Sequence, residues 1–227
     1  MEKTCRVIVL GLVILALPAL TLAGPVVANG SFESDAFSGG GTLGLGCGNT
    51  LTGWTTQCSP DQTYPWGLTN SNIYGGGPTP YGDQFVIVGD FGNGGSWIEQ
   101  AIGGFTVGQT YTLNWASASE GSGAGSSYEV SFTTGSSTAS QDFNATPLVS
   151  HYWDTWGMSS MDFLATDSTV TIRFTGLPDT ETGSLDAGLD NVFITGGSEG
   201  VPEPASFALL GMGLLGLGAR RLWAGKH

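Results

Sequence analysis

The chain has 227 residues, a formal net charge of −13 and 38 glycines. Five of its six basic residues, Lys3, Arg6, Arg220, Arg221 and Lys226, sit near the two ends, so Arg173 stands alone against seventeen acids between Gly24 and Gly200. A surface so acidic repels phosphate backbones, which excludes nucleic acid as a partner and leaves divalent cations and neutral glycans.

Residues 1–23 have a basic start with Lys3 and Arg6, an apolar run from Val7 to Leu17, and small side chains at Thr21 and Ala23. That order predicts a cleavable secretory signal peptide, because the apolar run is too short for a comfortable bilayer span. Cleavage after Ala23 starts the mature chain at Gly24.

Residues 24–200, about 177 in number, amount to one domain with enough chain to bury a core. Of the three cysteines, Cys5 leaves with the signal peptide. Cys47 and Cys58 then share an oxidising compartment, and a disulfide between them is expected. It would close a loop of about a dozen residues and contribute about 2 to 3 kcal/mol by the chain-entropy model.

Period-two alternation predicts strands: Tyr111, Leu113 and Trp115 against Thr110, Thr112 and Asn114; Tyr128, Val130 and Phe132 against Glu129, Ser131 and Thr133; Val170, Ile172 and Phe174 against Thr169, Thr171, Arg173 and Thr175. Further strands are expected at Val26–Asn29, Trp54–Gln57, Gln84–Val88, Trp97–Ile102, Phe143, Met158–Phe163 and Leu189–Ile194. Gly-, Ser-, Asn- and Pro-rich stretches, notably Ser38–Gly48, Gly75–Pro80 and Gly121–Ser127, read as loops. The fold class is therefore all-β, a two-sheet antiparallel sandwich.

Val201-Pro202-Glu203-Pro204 leads into an uncharged, Leu- and Gly-rich stretch, Ala205–Ala219, and then Arg220-Arg221. Fifteen helical residues reach about 22 Å, short of the roughly 30 Å hydrocarbon core. Snorkelling of Arg220 and Arg221 lets Leu222 and Trp223 settle at the interface, so a transmembrane helix over about 205–223 is expected, with its basic end inside. Pro202, Glu203 and Pro204, the apolar segment, and Arg220 and Arg221 resemble the PEP-CTERM sorting signal over residues 201–227. That resemblance implies a membrane-anchored precursor, an exosortase-type processing enzyme as partner, and delivery to the cell surface or extracellular matrix.

Within the body, Asn29-Gly30-Ser31-Phe32-Glu33, Gly53-Trp54, Gly82-Asp83-Gln84-Phe85-Val86, Gly108-Gln109-Thr110-Tyr111-Thr112-Leu113 and Leu189-Asp190-Asn191-Val192 resemble, in this order, the galactose-binding-like jelly rolls that include many carbohydrate-binding modules. The resemblance implies a jelly roll, often with a structural calcium, that recognises sugar by its loops or one sheet face. Long stretches at Ser38–Gly48 and Thr134–Ser150 depart from the family as insertions.

Glu33 and Asp190 flank the first and last strands, which the resemblance places side by side. If Val192 and Ile194 face the core, Asp190 shares their side and needs a cation or several hydrogen-bond donors. Glu33, Asp190 and Asp83, with backbone carbonyls, would make a hard-oxygen calcium site. The alternative is that these acids cap strand ends through backbone hydrogen bonds. Among aromatics outside the alternating strands, Tyr64, Trp66 and Tyr81, flanked by Pro and Gly, are the candidate sugar platforms; packing aromatics are the alternative. No histidine-based triad is visible around His151, so an enzyme is not expected. Six glutamates in the body leave a carboxylate-pair glycoside hydrolase or a lyase as a minor alternative. The leading expectation is a non-enzymatic exported protein that associates with exopolysaccharide, beside a structural coat or adhesion protein that binds itself or other proteins.

Overall fold

The computed structural model describes residues 24–35, 42–44, 51–57, 67–70, 79–89, 95–121, 126–178 and 186–197. All lie in one compact unit, Ala23–Ser198. The expected signal peptide, the sorting signal with its transmembrane helix, the Cys47–Cys58 disulfide, and Tyr64 and Trp66 lie outside the described residues.

The described residues form eleven strands: β1 (Thr42–Gly44), β2 (Thr55–Gln57), β3 (Gly67–Asn70), β4 (Gln84–Val88), β5 (Trp97–Gly103), β6 (Thr110–Ser119), β7 (Ser127–Thr134), β8 (Ser137–Asn144), β9 (Gly157–Leu164), β10 (Thr169–Gly176) and β11 (Ala187–Gly196). They build two sheets, ordered β1-β3-β4-β11-β6-β9 and β2-β5-β10-β7-β8. Every pairing is antiparallel. From β4 to β11 the chain crosses repeatedly between the sheets, as a jelly roll does.

Alternation decides which side chains meet. Val86 and Val88 of β4, Leu113 and Trp115 of β6, and Leu189 of β11 face Tyr128, Val130 and Phe132 of β7 and Val170, Ile172 and Phe174 of β10 in one buried cluster. Each fully buried side chain of this size contributes about 1.5–3 kcal/mol through area removed from water. Trp115 and Tyr128 carry polar atoms into that core, and the Trp115 Nε1–H donates to the Tyr128 hydroxyl at 2.7 Å, so neither is orphaned. Phe132 and Phe163 stack with ring centroids 4.2 Å apart across the layer.

Three expectations are corrected. Val26–Asn29 is not a strand: Asn29 and Phe32 take positive φ, and the Phe32 N–H closes a turn on the Asn29 carbonyl. The segment still reaches the last strand, for the Val192 N–H donates to the Gly30 carbonyl at 2.8 Å, and a Cβ at Gly30 would lie 2.0 Å from the Val192 oxygen. Ser38–Gly48, read as a loop, contains the strand β1, whereas the strand expected at Phe143 is β8, which runs inside the Thr134–Ser150 insertion and is paired to β7 through a tight turn at Gly135 and Ser136. β3 also appears where no strand was expected.

The third correction concerns Asp190. A register shift interrupts the β11–β6 ladder between Asp190 and Phe193, where Asn191 has φ 50°. The extra residue reverses parity, so Leu189 and Val192 both point into the core. Asp190 therefore lies on the opposite, outer face of the six-stranded sheet rather than on the side of Val192 and Ile194.

Candidate functional site

The bulge puts Asp190 beneath the segment that enters β4. Its carboxylate is wholly buried, and accepts from the Thr79 hydroxyl at 2.5 Å and from the Asn191 N–H at 2.6 Å. Burial pushes its pKa up to about 7 against the opposing pull of those two donors, and the charge of Glu33 pushes the same way. Glu33 thus stands close enough to Asp190 for their charges to repel.

Glu33 is exposed, and its Oε1 accepts from the backbone N–H groups of Asp83 at 2.8 Å and Gln84 at 2.7 Å. A Cβ at Gly82 would lie 2.2 Å from Glu33 Oε1, so a larger residue there would displace that carboxylate from its two donors. Gln84 completes the clasp by donating to the carbonyls of Phe32 and Asp35. The capping alternative therefore describes Glu33, whereas Asp190 is a buried acid with two donors and, among the described residues, no basic neighbour. Asp83 contributes its main chain. Among the described residues no three His, Cys, Asp or Glu side chains converge, so a calcium here would draw on Glu33, Asp190, carbonyl oxygens and water.

The same outer face carries the second feature. Register aligns Asp190 with Ala116 and Met158, Phe193 with Asn114 and Ser160, and Thr195 with Thr112 and Asp162. Met158, Phe193 and Leu164 leave 50%, 38% and 52% of their surface exposed, beside the polar pairs Thr112–Asp162 and Asn114–Thr195. Tyr81 arches onto this face, its hydroxyl 3.4 Å from the Met158 sulfur. Of the three aromatics expected to contact sugar, Tyr81 is the one described, and it is partly exposed. Trp153 and Trp156 pack on Phe85 at 5.6 and 5.2 Å and form, with Ile87 and Ala118, a separate apolar cluster on the same face.

Sequence reasoning missed Thr79, Met158, Asn114 and Asp162. A threonine in a Pro- and Gly-rich loop gives no signal of its carboxylate partner. Alternation marks Asn114 and Asp162 as pointing away from the core but not as lining one surface.

Residues 200–221 match the PEP-CTERM protein-sorting motif. The chain carries this sorting signal. It marks an exported, membrane-associated precursor sorted to the cell surface. No curated protein matches the sequence. Among solved structures, a cyclase from Fischerella sp. TAU, determined in complex with 4-(1H-indol-3-yl)butan-2-one, is 19% identical, covers 77% of this chain and 98% of its own, and superposes with a TM-score of 0.56. That likeness is one of fold, and it agrees with the jelly-roll sandwich. Weaker likenesses include the carbohydrate-binding module CBM4 (16% identity, 75% and 99% covered, TM-score 0.45) and a putative sugar binding protein from Bacteroides thetaiotaomicron (9% identity, 75% and 99% covered, TM-score 0.48).

Proposed function

We propose that the mature protein is a non-enzymatic component of the cell surface or extracellular matrix, which binds a neutral glycan, such as the exopolysaccharide around it, on the outer face of the six-stranded sheet. The supporting observation is the combination on that face of exposed apolar area from Tyr81, Met158 and Phe193 with the hydroxyl, amide and carboxylate groups of Ser160, Asn114 and Asp162. A sugar ring offers an apolar C–H face and a rim of hydroxyls, and needs that mixture. Trp66 and Tyr64, which precede β3 in the chain, are the further aromatic candidates. An exosortase-type enzyme would act on the sorting motif, with the C-terminal segment holding the precursor in the membrane until then.

Calcium at Glu33 and Asp190, with Asp83 at its margin, belongs to the same reading as a structural ion. The fit rests on Asp190, a fully buried carboxylate whose ionised form lacks a counter-charge. When bound, the ion would supply that charge and tie the 29–35 turn to β11.

Affinity electrophoresis of the exported protein through matrix polysaccharide tests the glycan reading. Retention is expected, and Tyr81→Ala and Trp66→Ala should each weaken it, by about 1–3 kcal/mol per aromatic platform. Absence of retention on any matrix polysaccharide would overturn the reading. One observation favours the alternative of self-association: β8 is an eight-residue edge strand whose free side is open to pairing with a second copy. Light scattering showing oligomers without sugar would support it.

A further inference from the structure

A second pair of acids lies at the end of the sheet where β4, β6 and β11 terminate together. Glu120 follows β6, Asp186 precedes β11, and their main chains are tied by the Glu120 N–H donating to the Asp186 carbonyl at 3.0 Å. The Asp186 N–H returns to Glu120 Oε2 at 3.4 Å, and the two carboxyl groups are close enough for each to act on the other's titration. Asp186 is 1% exposed, yet its Oδ1 has no hydrogen-bond partner. That atom points across the strand ends at Gly89, where a Cβ would lie 1.9 Å from it.

The surroundings are oxygen-rich. Ser126 donates its hydroxyl to the Asp186 carbonyl at 2.6 Å, and Ser119 Oγ lies 3.0 Å from Ser126 Oγ. Gly89 presents its carbonyl to Ser96. Among the described residues no positive group answers the two acids. Arg173, the one Lys or Arg among the described residues, is bound to Glu99 through its Nε at 2.9 Å and lies over the Trp97 ring at 4.2 Å. Glu120 is the titratable group facing Asp186 from β6, while β4 and β7 bring Gly89 and Ser126.

We infer that Glu120 and Asp186 form a binding site for a divalent cation of the calcium type, with Asp186 Oδ1 as a ligand, separate from Glu33 and Asp190. Two carboxylates with nearby hydroxyl and carbonyl oxygens and water are the donor set such a hard cation takes. Without the ion, the pair holds one proton. Burial first, and then the charge of Glu120, push Asp186 up to about 10, and burial raises Glu120 as well. Asp186 Oδ1 stays unmatched in that pair, and a cation ligated by it would give it the partner it lacks. Binding then releases that proton to solvent, so affinity increases with pH.

The test is calcium titrated calorimetrically into the chelator-treated full chain, with bound ions counted and released protons followed by a pH indicator. Asp186→Asn and Glu120→Gln are each expected to bind one ion fewer than the parent and to lose the accompanying proton release. Glu33→Gln is expected to lose at most the ion held by Glu33 and Asp190 and to keep the ion and the proton release that Glu120→Gln abolishes, which separates the two sites. An unchanged ion count in folded Glu120→Gln would overturn the inference and leave a carboxyl pair that holds a proton only; so would a parent that binds no calcium. Glu120 is half-buried, so its variant decides the matter even if Asp186→Asn fails to fold.

Discussion

Asp190 and Asp186 illustrate how burial turns an acid into a pH-dependent load on the fold. An unfolded aspartate titrates near pH 3.9, whereas these titrate at about 7 and about 10 in the folded chain. Above the unfolded value the native chain still holds protons that the unfolded chain has released. Stability is therefore full below about pH 4 for these two groups and declines as pH rises, by at most about 1.4 kcal/mol per pH unit for each. The decline from Asp190 ends near pH 7, and that from Asp186 continues toward 10. Asp154 acts in the opposite sense: backbone N–H groups, Val149 foremost, hold it well below the usual carboxylate range, so its contribution is present above that range and is lost only in strong acid. Melting temperatures measured in chelator should fall from pH 5 to 9; Asp190→Asn should flatten only the lower part of that slope, whereas Asp186→Asn should lessen it throughout and remove most of the upper part. A flat profile in the parent would contradict the burial of both acids. At this scale the sequence pointed to Glu33 and Asp190 through their places beside strand ends. It offered no sign of Asp186, which is buried only because the ends of three strands meet over it.

At the level of elements, the bulge in β11 is the feature on which the Asp190 site depends. Without it, Asp190 and Val192 would share a face, and a carboxylate would enter the apolar layer. Asn191 supports the bulge because asparagine tolerates the positive φ that a β-branched residue resists. Asn191→Gly should be nearly neutral and Asn191→Val should cost about 1–2 kcal/mol, as measured by denaturant unfolding. Equal stability of the two variants would argue against the strained residue. The inward strands β6, β7 and β10 were legible in the sequence because one wet face makes hydrophobicity alternate. β8 was expected at Phe143 alone, since Ser137–Asn144 is an exposed edge with Phe143 as its one large apolar residue, and no period exists to fix its extent. β4 was found in full as a continuous apolar run, and its outward residues Phe85 and Ile87 are covered by Trp153 and Trp156 rather than by water.

For the whole molecule, the segregation of charge and hydrophobicity along the chain governs where the protein goes. Protein recovered from cells should begin at Gly24 and lie beyond the cytoplasmic membrane, a result that N-terminal sequencing of fractionated cells would check. Cytosolic protein with Met1 intact would contradict it. Between Gly24 and Gly200 only Arg173 balances the acids, and both proposed cation sites and the proposed glycan face draw on that imbalance.

By itself the sequence determined the sorting signal and the all-β class, because each is written in local order: Pro-Glu-Pro before an apolar stretch and two arginines, and alternation within single strands. The tertiary structure alone decided which acids are buried, which face Asp190 occupies, and which polar side chains share the outer sheet surface. Those properties arise between residues far apart in the chain, such as Glu33 with Gln84, 51 positions apart, and Thr79 with Asp190, 111 apart. Desolvation and hydrogen bonding act on neighbours in space, and no local pattern records them.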